Sequence, residues 1–189
     1  MNLKSATMRA CRHLRQRWRA DGKKGSAAIE FAMIAPVLFV FLFGIIETGV
    51  LFFASAMLQN ATDDTARRIR TGQLSGTLTA TQLRNAVCSE VDGLIHDCAA
   101  SLQIDLRSFS SFGGSSYPTV IKGNGTVDPS KLAVQTAADC SVVLLRTFYA
   151  WKIMTPLMTP LIENTTTGQY VLSAAAAFRT EPYTSSSTC

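Results

Sequence analysis

Two histidines, His13 and His96, are all the imidazole in this 189-residue chain. His96 stands near Cys88 and Cys98, but that spacing matches no familiar zinc pattern. There is no glycine-rich phosphate loop and no Gly-x-Ser-x-Gly elbow. These absences leave no catalytic set, no metal site and no cofactor site, so the sequence reads as non-enzymatic. Charge is also missing where it matters. From Phe31 to Ile46 no residue is charged, and beyond Glu47 the apolar character resumes through Leu58.

What charge there is lies at one end. The net charge is +5, and its excess is N-terminal. Lys4, Arg9, Arg12, Arg15, Arg17, Arg19, Lys23 and Lys24 precede Gly25, against Asp21 alone, whereas after Glu47 basic and acidic residues balance. A basic arm can neutralise nucleic-acid phosphates, but no nucleic-acid-binding module follows. Beside an apolar run, Arg15, Arg17, Arg19, Lys23 and Lys24 orient a helix with its N-terminus in the cytoplasm, in contact with membrane lipid. Nucleic acid is not an expected partner.

The junction of these two regions reads Lys23-Lys24-Gly25-Ser26-Ala27-Ala28-Ile29-Glu30-Phe31, then Ala32-Met33-Ile34-Ala35-Pro36. A carboxylate at the head of a membrane segment is costly and marks a functional position. This stretch resembles the processing site of type IV pilin-like proteins, and its Gly-x-x-x-x-Glu-Phe spelling with Ile-Ala-Pro following resembles TadE-like pseudopilins of the Tad (Flp) pilus assembly system. The specific likeness covers roughly residues 23–60. A looser one lies at Phe148-Tyr149-Ala150-Trp151 and Thr155-Pro156-Leu157.

The resemblance implies cleavage by a prepilin peptidase between Gly25 and Ser26, with Glu30 at the fifth mature position and Phe31 after it. It implies that Glu30 meets the new α-amino group of a neighbouring subunit. It also implies other pilins or pseudopilins and an inner-membrane assembly platform as partners. The expected location is the bacterial inner membrane, single-pass, with a periplasmic C-terminal domain that can reach the pilus or cell surface after assembly. The alternative is an uncleaved, bitopic membrane-anchored periplasmic binding or scaffold protein, with Glu30 a solvated boundary residue. A secreted domain cut at Ala54-Ser55-Ala56 is a weaker rival, because the apolar run exceeds a usual signal peptide.

Four regions follow. Residues 1–25 read as a basic cytoplasmic leader, with Asp21-Gly22 and Gly25 leaving the cut site flexible. Residues 26–58 read as the transmembrane segment, about 50 Å of helix at ~1.5 Å per residue, longer than the ~20 residues a bilayer core needs. Pro36 within it is a tolerated kink or a point where the helix extends during assembly. Glu47 reads as a carboxylate at the outer boundary, ahead of a subunit contact. Residues 59–71 extend the helix as an amphipathic stem: Val50, Ala54, Met57, Leu58, Ala61, Thr65 and Ile69 recur at helical spacing, opposite Gln59, Asp63, Asp64, Arg67 and Arg70.

Residues 72–189 read as a periplasmic α+β domain, so that the fold class of the whole is α+β, a long N-terminal transmembrane and stem helix followed by a small antiparallel-sheet domain with one short helix. Thr79 or Thr81 caps that helix, whose apolar face is Leu83, Ala86, Val87, Val91 and Leu94, ending near residues 93–98. Residues 102–107 alternate as a half-buried strand, residues 142–151 form a central strand, and residues 170–179 form a further strand or, through four alanines, a helix. Cys88, Cys98, Cys140 and Cys189 lie beyond the membrane, where an even number suggests disulfides. Three pairings are possible. If the last two strands pair antiparallel, Cys140 and Cys189 fall at one end of the sheet, which favours Cys140–Cys189 with Cys88–Cys98.

Overall fold

The computed structural model describes residues 3–74, 76–91, 93, 95, 97–114, 116–183 and 189, with side chains described from Gly25 onward. His96 and Leu94 lie outside the described residues, as do the side chains of Cys11, Arg15, Arg17, Arg19, Lys23 and Lys24. The chain divides into two compact units, Met1–Ile45 and Ile46–Cys189.

The first unit is entirely the leading part of helix α1 (Leu3–Arg70). Its apolar side chains, from Ile29 and Phe31 to Phe43 and Ile45, stand exposed, the pattern of a helix whose apolar surroundings, lipid or protein, lie outside this chain. Pro36 sits inside the helix. The backbone is also helical through Gly22 and Gly25, where the sequence suggested a flexible break. Each glycine weakens a helix by about 1 kcal/mol relative to alanine without sterically stopping it.

The second unit begins with the rest of α1. From Glu47 one face is buried: Glu47, Leu51, Ala54, Leu58, Ala61, Thr62, Thr65, Ala66 and Ile69, at the spacing of an amphipathic helix. Arg70 ends the helix, and Gly72 follows at φ +75°. A Cβ there would stand 2.7 Å from the Tyr183 ring, so both backbone and neighbour require glycine. Tyr183 donates its hydroxyl to the Ile69 carbonyl at 2.7 Å. Burial raises the pKa of that hydroxyl and keeps it a donor.

Helix α2 (Ala80–Cys88) opens with Thr79 as its cap, since Thr79 accepts from the Gln82 N–H and the Gln82 side chain accepts from the Thr79 N–H. This capping box closes two orphan donors. The helix ends at Cys88 rather than near residue 93, because Ser89 closes it through its backbone N–H and a hydroxyl bond to Ala86. A second short helix, α3 (Cys98–Ser101), follows, and Cys88 and Cys98 are joined. With α4 (Thr159–Ile162) there are three short helices among the described residues, where the sequence suggested one.

Strands β1 (Gln103–Phe109), β2 (Val142–Lys152) and β3 (Gln169–Arg179) form an antiparallel sheet with β2 central. The architecture is the expected α+β, and the alanine run lies in β3. Alternation along β2 divides its side chains between two faces. Val143, Leu145, Tyr149 and Trp151 join the stem in one core, while Thr62 and Thr147 hydrogen-bond through their hydroxyls at 2.7 Å. On the other face Phe148 and Val171 pack with Val120, Val127 and Leu132, so residues 117–135 form a third layer. β2 begins opposite the end of β3, Val142 facing Arg179, and Cys140 is bonded to Cys189 at that end.

The chain itself blunts both sheet edges. On β1, Leu106 exchanges backbone bonds with Ala133 and Gln135. On β3, the Asn164 carboxamide takes both backbone groups of Val171, and the Gln59 carboxamide from the stem takes both of Ala175.

Candidate functional site

Gly25, Ser26, Glu30 and Phe31 follow one another on α1. The Ser26 hydroxyl donates to Glu30 Oε1 at 2.9 Å across one helical turn, the reach that i,i+4 spacing gives. Both residues are exposed. Phe31 is 65% exposed and opens the uncharged run. A side chain at Gly25 would meet nothing within 4 Å. The arrangement presents a bond between two small residues and a carboxylate that takes one side-chain hydrogen bond among the described residues.

Glu47 differs from its expected role as a boundary carboxylate. It is 3% exposed and accepts from the backbone N–H groups of Met154 and Thr155 at 3.0 and 3.1 Å and from the Thr155 hydroxyl at 2.9 Å. Three donors, two of them backbone amides, offset the cost of burying a carboxylate. The loop after β2 is thereby tied to the stem. Pro156 follows this docking point directly, and Pro160 sits in the first turn of α4.

A second buried carboxylate was also missed. Asp105 was expected on the polar side of a half-buried strand, yet it is 0% exposed. Residues 117–135 cover that face. Arg146, directly opposite in register, donates to Asp105 Oδ2 through Nη2 at 2.6 Å and Nε at 3.1 Å. Arg107 Nε contacts both carboxylate oxygens at 3.1 Å, and the Ala133 N–H donates at 2.9 Å. The Arg146 guanidinium also lies 4.9 Å from the Tyr117 ring centroid, a cation–π contact. The period-two placement of Asp105 was readable in the sequence. Its cover comes from a stretch without periodicity and was not.

The described residues contain no cluster of three or more His, Cys, Asp or Glu able to hold a metal. A hollow of about 540 Å³ lies between Arg84, Leu102, Ile104, Pro129 and Val134. Its one charged group, Arg84, donates to the Leu102 carbonyl at 2.9 Å, and Gln103, also in its lining, has a buried side-chain oxygen with no hydrogen-bond partner. Tyr149 and Trp151, in the stretch of looser likeness, pack edge to face at 6.4 Å within the stem core.

One helix among the described residues is long and apolar enough to cross a membrane, and it is α1, compatible with a single-pass anchor. A family model described as TadE-like protein matches residues 25–67. The match begins at Gly25 and takes in Glu30, Pro36, Glu47 and Gln59. No curated protein and no solved structure matches the chain.

Proposed function

We propose that this chain is a structural, non-enzymatic pseudopilin of a Tad-type pilus system, cleaved by a prepilin peptidase between Gly25 and Ser26. The observation that carries the reading is the coincidence of two features at one residue: the TadE-like match starts at Gly25, and Gly25 precedes Ser26, Glu30 and an uncharged, outwardly apolar helix. Glu30 keeps free acceptor capacity for a neighbouring subunit's α-amino group. Inside a poorly solvated bundle such a pair gains strongly from the low dielectric, while an isolated carboxylate there is costly. Arg15, Arg17, Arg19, Lys23 and Lys24 hold the leader in the cytoplasm, with the sheet domain periplasmic and stapled in an oxidising compartment. The partners are the peptidase, other pilins and the inner-membrane assembly platform.

One observation favours the second reading, a static anchor that is never cut. The Gly25–Ser26 bond is helical, and a peptidase needs extended backbone, so cleavage requires local unwinding. Gly22 and Gly25 reduce its cost, each weakening the helix by about 1 kcal/mol. Mass spectrometry of the N-terminus recovered from native membranes decides between the two. A chain starting at Ser26 is expected; one starting at Met1 would establish the static anchor instead.

A further inference from the structure

The loop that Glu47 holds has an unusual composition and an unusual backbone. Between Lys152 and Glu163, residues 153–162 carry no charge. Met154, Leu157 and Leu161 are 64%, 61% and 76% exposed. Most of the backbone N–H groups are nevertheless satisfied within the protein. Met154 and Thr155 donate to Glu47, Met158 to Thr155, Leu161 and Ile162 to Met158, and Glu163 to Thr159. Pro156 and Pro160 have no N–H to satisfy. Apolar side chains pointing outward over backbone N–H groups bonded within the protein suit the headgroup–acyl boundary, where water still reaches the remaining carbonyls.

The length of α1 places that boundary. Residues 31–46 make sixteen uncharged positions, about 24 Å at ~1.5 Å per residue, short of a hydrocarbon core of about 30 Å. Between Phe31 and Asp63 Glu47 is the only charge, and it takes three donors within the protein. Continuing to the exposed Phe52 and Phe53 gives about 35 Å. The span then runs past Glu47, and the loop bonded to Glu47 falls at the outer edge of the bilayer.

We infer that residues 153–162 are a second membrane contact, inserted into the outer leaflet of the bilayer that α1 crosses. Met154, Leu157 and Leu161 enter the acyl boundary, while Lys152 and Glu163 mark the water side. Glu47 is the pin that fixes the loop at this depth. The occupant of the apolar surface is phospholipid, and the inference rests on reading α1 as a membrane span.

The test uses the full chain with Cys11→Ser, reconstituted at high lipid-to-protein ratio into phosphatidylethanolamine–phosphatidylglycerol vesicles. Single cysteines at Leu157→Cys, Leu161→Cys, Leu42→Cys and Thr166→Cys carry an environment-sensitive fluorophore, and the lipids carry shallow or deep spin-label quenchers. Blue-shifted emission at 157 and 161 with loss of fluorescence to shallow quenchers is expected, together with deep quenching at 42 and none at 166. Adding Leu157→Asp should abolish quenching at 161. Water-like, unquenched emission at 157 and 161 with quenching retained at 42 overturns the inference and leaves the anchor standing. No quenching at 42 overturns both. Blue-shifted but lipid-unquenched emission that grows with protein density identifies a second copy as the occupant, and also overturns it.

Discussion

Two glutamates on one helix, seventeen residues apart in sequence, have opposite surroundings. Glu30 is exposed and bonded by Ser26; Glu47 is buried and takes three donors from the loop after β2. The first has capacity left for something outside the chain, and the second has spent it on the chain's own fold. A carboxylate in an apolar helix is thus not by itself a functional mark. What separates the two is whether the protein has already supplied the partner.

This contrast can be broken at several points. Asp105 extends it to the sheet, and Asp105→Ala should have the largest effect, about 3–5 kcal/mol of lost stability, because Arg146 is left buried without its counter-charge. Urea unfolding of the protein in detergent micelles would measure it, and a loss under 1 kcal/mol would mean that Arg146 finds another partner or water. Glu47→Ala should follow with about 2–4 kcal/mol, from charge-assisted bonds lost and amides stranded. Proteolysis should then cut near Met154, and an unchanged digestion pattern would argue that Glu47 does not hold the loop.

Removing the Cys88–Cys98 link by a double serine substitution should cost about 2.5 kcal/mol, given the ten-residue separation and the loop-entropy relation. Thermal unfolding followed by circular dichroism would register it. Glu30→Ala should be the mildest, within about 0.5 kcal/mol of the parent as for other exposed sites. Its consequence should appear in assembly, read as loss of the protein from sheared pilus fractions with membrane abundance unchanged. Normal recovery there would remove Glu30 from any subunit contact.

How much of this was legible follows from the kind of signal each feature leaves. The stem face, the central strand and the Thr79 cap are written in local periodicity or local chemistry. The Cys140–Cys189 link followed from one topological step, since the start of β2 must face the end of β3 in an antiparallel pair. Asp105 defeated the period-two rule because that rule assumes one solvated face, and residues 117–135 remove it. Glu47 was harder still. Its main donors are backbone amides of Met154 and Thr155, which every residue but proline has, so side-chain patterns carry no trace of them. The Gly25–Glu30 spelling, by contrast, was clear in sequence, although the fold makes no use of it.

Three of the side-chain ties along the stem have a mechanical side. Glu47 holds Met154 and Thr155, Gln59 holds Ala175 on β3, and Thr62 holds Thr147 on β2. They reach three different segments of the domain from points spread over about four turns of one helix. A pull along that helix would stretch all three at once instead of opening them in sequence, spreading the load over the loop, the edge strand and the central strand. A subunit drawn from its membrane by the end of such a helix would carry its folded domain along under tension, with strength set by the sum of these ties rather than by the weakest.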